Sequence, residues 1–88
     1  MHEFSLAQGL HWQLLDLARD HHARKITRAE ILIGGNAGIV EESFLFGVNV
    51  LIAQDPRTEG MEVVILRDDG QDLMLMKVEL DSGDTPSG

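Results

Sequence analysis

Leu6, Leu10, Leu14 and Leu17 recur at the three- and four-residue spacing of one helix face. Ser5 and Gln8 before that stripe fit a capping box, so the spacing predicts a helix from Ser5 to His22. Gly9 weakens it slightly, while Arg19, His21, His22 and Arg24 bring donors and positive charge to its C-terminal end. From Lys25 to Ile33 the period becomes two. Thr27, Ala29, Ile31 and Ile33 then face one way and Ile26, Arg28, Glu30 and Leu32 the other, as in a strand with one mostly buried face.

Gly34-Gly35-Asn36-Ala37-Gly38 ends the strand as a flexible turn, and no Lys-Ser/Thr follows to make it a phosphate loop. Phe44, Leu45, Val48, Leu51 and Ile52 form a second helical stripe, with Glu41 and Glu42 at the end where a helix favours anions. After the loop 54–60, Met61 to Leu66 and Leu73 to Leu80 read as strands, joined by a hairpin signal at Asp68-Asp69-Gly70-Gln71. Met74, Met76, Val78 and Leu80 share a face of the last strand, and its methionines are assigned to the core rather than to soft metal ligation.

The expected fold class is α/β, two helices packed on one face of a small three-stranded mixed sheet in the order α-β-α-β-β. The second and third strands are expected to be antiparallel neighbours. A right-handed helical crossover should make the first and second parallel. Residues 1–80 form one domain, and the polar stretch 81–88 is expected to be a disordered tail.

Composition narrows the functions. The net charge of −8 disfavours nucleic acid and anionic membrane as partners, since phosphate binding needs clustered Lys and Arg. With no leader-like segment and no apolar run near membrane-spanning length, a soluble, cytoplasmic protein is expected, a monomer or weak homo-oligomer. Cysteine is absent, which removes disulfides, thiolate zinc sites and cysteine nucleophiles together. No nucleophile, base and orienting group cluster in the sequence, so the chain is read as non-enzymatic.

The candidate chemistry lies in Met1-His2-Glu3. His2 is bulky, so the initiator methionine should be retained. The Met1 amine and the His2 amide can close a five-membered chelate ring, and the same amide with the His2 imidazole a six-membered one. Such planar nitrogen ligation suits nickel(II) and copper(II) and suits zinc poorly. A fourth position is left to the Glu3 amide, another histidine, a partner residue or water. His11 is a surface residue or completes the metal site. His21 and His22 are adjacent, point apart from a helix, and fit a C-terminal capping role better than joint chelation.

Taken together, Met1-His2-Glu3-Phe4-Ser5-Leu6-Ala7, Ile33-Gly34, Gly38, Val40, Glu42-Ser43-Phe44 with Phe46, Glu59-Gly60-Met61-Glu62-Val63 and the last strand resemble the HypA/HybF family, nickel-insertion accessory proteins of [NiFe]-hydrogenase. The resemblance implies nickel(II) held by the Met1 amine and the His2 amide and imidazole, with Glu3 close by. It also implies delivery to the hydrogenase large subunit together with a nickel-handling GTPase. The family normally inserts a zinc domain with two Cys-x-x-Cys pairs between its last two strands. Here Arg67-Asp68-Asp69-Gly70-Gln71 stands in that place, so no zinc is expected. A protein-interaction or regulatory domain that kept this fold without metal transfer is the rival reading.

Overall fold

The computed structural model describes residues 2–82. Met1 and residues 83–88 of the expected tail lie outside the described residues. The elements run α1 (His2–Asp20), β1 (Lys25–Gly34), α2 (Glu41–Ile52), β2 (Glu62–Asp68) and β3 (Leu73–Asp81). The expected order and the three-stranded mixed sheet are both present, and Asp81, assigned from sequence to the tail, closes β3 opposite Lys25.

α1 begins three residues before the expected cap, so Ser5 is a helical residue and the capping box does not form. Packing overrides the local signal: Phe4 and Ala7 both press on the backbone of α2 at Gly47. A Cβ there would sit 3.1 Å from the Ala7 Cβ and 3.2 Å from Phe4 Cδ1. The missing side chain lets the two helices approach, and that contact carries the helix back past Ser5. The buried stripe of α1 is Ala7, Leu10, His11, Leu14 and Ala18; Leu6 and Leu17 flank it, half-buried.

The C-terminus of α1 is closed by its own backbone. Ala23 N–H reaches the Ala18 carbonyl at 2.8 Å and His22 N–H the Arg19 carbonyl at 3.1 Å, with His22 at φ 53°. This is a Schellman motif with histidine where glycine usually stands. The expected capping role of this pair is met by the main chain of His22, and both rings remain exposed.

In β1 the pairing steps from Ile26↔Leu80 to Arg28↔Glu79, leaving Thr27 as an extra residue. This bulge overturns the simple alternation expected there. Ile26 turns inward with Ala29, Ile31 and Ile33, while Thr27 is exposed and donates its hydroxyl to the Glu79 carbonyl at 3.2 Å. A second shift, between Glu30↔Lys77 and Ile31↔Leu75, makes Met76 the extra residue of β3. Met74 and Met76 are about half exposed, so neither is a core residue as expected.

The sheet order is β2-β1-β3, with β2 parallel and β3 antiparallel to the central β1. The parallel pairing holds; the expected hairpin between β2 and β3 does not. Residues 69–72 instead cross the end of β1 as a strap. The edges it connects are about 10 Å apart, within the roughly 13 Å that four residues can span. Gly35 N–H bonds to the Asp68 carbonyl, Gly34 N–H to Asp72 and Asn36 N–H to Gly70, at 2.8, 2.8 and 2.9 Å. A Cβ on Gly34 would run into the Gly70 carbonyl, so the crossing requires glycine at that point. The Asp-Gly signal is real but serves another turn: Asp68 Oδ1 accepts the Gly70 N–H at 2.8 Å, and Gly70 is not in the left-handed region that a tight hairpin uses.

The core joins Ala7, Leu10, Leu14 and Ala18 of α1, Phe44, Val48, Leu51 and Ile52 of α2, the inward residues of β1, and Met61. The opposite face of the sheet carries Arg28, whose guanidinium lies 3.0 Å from Glu30, 3.1 Å from Glu79 and 3.6 Å from Glu62.

Candidate metal centre

His2 is the first residue of α1 and its side chain is exposed. The first amides of a helix have no acceptor one turn back, so its N–H is free of intrahelical bonding. Glu3 follows, half-buried, and its Oε2 accepts the Val40 N–H at 3.2 Å. Val40 is the N-cap of α2 and has no side-chain cap of its own. Glu3 therefore fastens the first turn of α1 to the start of α2. The Val40 amide is the main reason that its carboxyl lies below the usual range.

Two helix N-termini thus come together, and their dipoles disfavour a cation by roughly 0.3–1 kcal/mol each at exposed sites. Carboxylates offset this. Glu41 and Glu42 occupy the first turn of α2 beside Glu3, and Glu41 is in turn held by a two-pronged ion pair with Arg67 of β2. Between the helix ends lies an open concavity of about 520 Å³, lined by Glu3, Phe4, Glu42, Ser43 and Phe46. Phe4 is 45% and Phe46 71% exposed, so the lining combines exposed aromatic rings with the carboxylates of Glu3 and Glu42. Phe46 lies off the Phe44-Val48-Leu51 stripe, and a large aromatic off the buried face is the signal by which sequence reading could have singled it out.

The other histidines are far from this end. His11 lies about 14 Å further along α1 and His21 about 28 Å, at 1.5 Å per residue. His11 is neither a surface residue nor placed to complete the metal site. It is buried, and its Nε2 lies 3.1 Å from the hydroxyl of the fully buried Thr58. Its position within the stripe Ala7-Leu10-His11-Leu14-Ala18 marks it as a core histidine. Among the described residues, no three His, Asp or Glu side chains converge to hold a metal ion. A metal at the start of α1 would have to draw on main-chain nitrogen.

The chain is similar to known proteins over most of its length. Residues 1–79 match the family model described as HypA, hydrogenase/urease nickel incorporation, metallochaperone. Over 70 residues, 80% of this chain, the protein is 33% identical to the hydrogenase maturation factor HypA of Azorhizobium caulinodans. Over 73 residues, 81% of this chain, it is 36% identical to the factor of the same name from Chlorobaculum tepidum. The matched segments span 61% and 62% of those relatives. The solution structure of the nickel metallochaperone HypA from Helicobacter pylori superposes with a TM-score of 0.71 at 12% identity, covering 89% of this chain and 92% of that one. A second solution structure of a HypA protein gives 0.76 at 16% identity, covering 93% and 98%. At these identities the structures speak for the fold alone. The family is described as one of metallochaperones, in agreement with the non-enzymatic reading. No helix among the described residues is long and apolar enough to cross a membrane. On the match of its residues 1–79 and its similarity to these relatives, the chain belongs to the HypA family.

Proposed function

We propose that this chain is a nickel(II)-carrying module for hydrogenase maturation, with the metal held by the Met1 amine and the amide and imidazole of His2. The observation that carries the reading is the placement of His2: an exposed imidazole on the first residue of a helix, where its amide can lose a proton without breaking a helical hydrogen bond. The loss of that proton puts negative charge at two helix N-termini and removes the electrostatic objection to a cation there. Glu3, engaged by Val40, serves as a second-layer anchor that fixes the chelate against α2. The metal is taken up and passed on, in keeping with the nickel incorporation named for the family. Delivery is to the hydrogenase large subunit, together with a nickel-handling GTPase as partner, and the site of action is the cytoplasm.

The decisive experiment is equilibrium titration of the untagged chain with nickel(II), followed by absorption. About one ion should bind with the bands of planar nitrogen ligation, and His2→Ala should abolish them. One residue added before Met1 should do the same, since it turns the donating amine into an amide. Unchanged binding in either variant would overturn the assignment.

The exposed Phe4–Phe46 concavity favours a second reading, a docking module that works without metal. Under it, His2→Ala would leave hydrogenase maturation intact and Phe46→Ala would impair it.

A further inference from the structure

β3 is an outer strand of the sheet. Its inner side pairs with β1 along its length, and its outer side meets no strand among the described residues. Beside it runs α1. Leu17 and His21 of that helix, with Leu75, Val78 and Leu80 of β3, border an open concavity of about 450 Å³. Met76 is 50% and Leu80 36% exposed along the same edge. An edge of this kind is a template for another strand, and a lysine in its middle ordinarily protects it.

Here Lys77 does not protect the edge against a second copy of the same strand, because Glu79 lies two residues on. We propose that β3 is a self-association edge, where two copies of the chain pair antiparallel about a two-fold axis at Val78 into one continuous sheet. In that register Lys77 of each copy faces the partner's Glu79, Met76 faces the partner's Leu80, and Val78 faces its own counterpart. Moving the axis to Lys77 sets two lysines against each other, and moving it to Glu79 sets two glutamates. Only the Val78 register joins opposite charges twice with no like pair. Glu79 already engages Arg28 at 3.1 Å and, more loosely, Lys77 of its own chain at 3.8 Å. In the dimer Lys77 exchanges that exposed contact for the partner's Glu79, whose carboxylate has lone pairs for a further donor. The axis stands perpendicular to the sheet, so the helices of both copies remain on one face. The partner's α1 then walls the open side of each concavity.

The register is tested by sedimentation equilibrium on the full chain. The parent should dimerise at high concentration. Lys77→Glu should raise the dissociation constant about tenfold or more, because two attractive pairs become repulsive. Glu79→Lys should do the same. Mixing the two single variants should restore association, since each then offers the charge that the other lacks. A misfolded strand could not be rescued in this way. Should Glu79→Lys fail to fold, an introduced cysteine supplies the second measurement, as the chain has none of its own. Val78→Cys should cross-link to itself on mild oxidation, and Leu66→Cys on β2 should not. A chain that stays monomeric, a dimer indifferent to Lys77→Glu, single variants that do not associate on mixing, or equal cross-linking at positions 66 and 78 would each overturn the proposal.

Discussion

His11 of α1 and Thr58 of the loop before β2 meet in a buried hydrogen bond of 3.1 Å. The Thr58 hydroxyl donates its one proton to the Ile52 carbonyl at 2.9 Å, so the ring Nε2 must carry the proton that joins the pair. The bond ties the middle of α1 to the chain leaving α2. Thr58→Val keeps the shape and leaves the imidazole N–H buried without an acceptor. It should cost about 1–3 kcal/mol in urea unfolding. A loss within experimental error would mean that the loop is held by packing alone.

The same pair sets a pH dependence. Burial holds the His11 ring below its ordinary value of 6.5; the Asp55 carboxylate opposes this and the Arg57 guanidinium adds to it. The unfolded chain therefore takes up the proton more readily than the folded one, and stability rises with pH through this region. As pH falls below about 6.5 the protein should lose stability until the folded-state ring also protonates. His11→Gln should flatten the profile there. The depressed carboxyls of Glu3 and Asp55 act in a separate, more acidic window, and their contribution is lost as pH falls through it. Unfolding midpoints measured across pH 4 to 8 separate the two.

Metal and fold should be independent. The core is closed by Leu14, Ile26, Ile31 and Phe44 without any metal ligand. Chelator should strip nickel and leave the circular dichroism spectrum unchanged. In metal-free protein Leu14→Ala should cost roughly 2–5 kcal/mol, while His2→Ala should scarcely move the melting temperature. Acidification should also release nickel, because amine and imidazole must lose protons to coordinate. Unfolding by chelator would contradict this separation.

His22 stores a small strain. A non-glycine residue in the left-handed region costs about 1 kcal/mol, and His22 sits there to close α1. His22→Gly should raise thermal stability, by up to that amount less the added freedom of the unfolded chain. A lower midpoint would show that the ring makes a contact worth more than the strain.

Two glycines should respond oppositely to alanine. Gly9 lies within α1 with nothing within 4 Å of an added Cβ, so Gly9→Ala should stabilise by about 0.5–1 kcal/mol. At Gly34 the added carbon collides with the strap, and Gly34→Ala should destabilise by about 1–3 kcal/mol. Equal effects in chemical denaturation would argue that the strap yields freely.

The readable parts of the fold were those written in local period. Phe44, Val48 and Leu51 repeat at helical spacing on a buried face, and the Glu41-Glu42 pair marks where α2 starts. What escaped depends on residues distant in sequence. The bulge at Thr27 exists only against Glu79 and Leu80, and it decides which side of β1 is buried. Asp68-Asp69-Gly70 carries the chemistry of a turn whether the next strand returns beside β2 or crosses to the far edge. Only the partner strand distinguishes these outcomes, since the outer edge of β2 and the free edge of β1 were both open to β3. At the candidate site, His2 and Glu3 could be named because their donor atoms are adjacent in the chain. The Glu3–Val40 bond and the Phe4–Gly47 contact could not, since each spans an inter-helix packing that no short pattern records.

The central position of β1 has a consequence for synthesis. Its two neighbours both follow it in the chain, separated from it by α2, and one of them ends at Asp81 against Lys25. A nascent chain can form α1, α2 and their mutual contact early, but one edge of β1 stays open until Glu62–Asp68 has left the ribosome and the other until Leu73–Asp81 has followed. Ile26, Ile31 and Ile33, buried in the finished fold, are β-branched and apolar, and in that interval they are vulnerable to pairing with other chains. Slow elongation over the last two strands would lengthen this exposure, so the yield of soluble protein should depend on translation speed through that stretch more than through the helices.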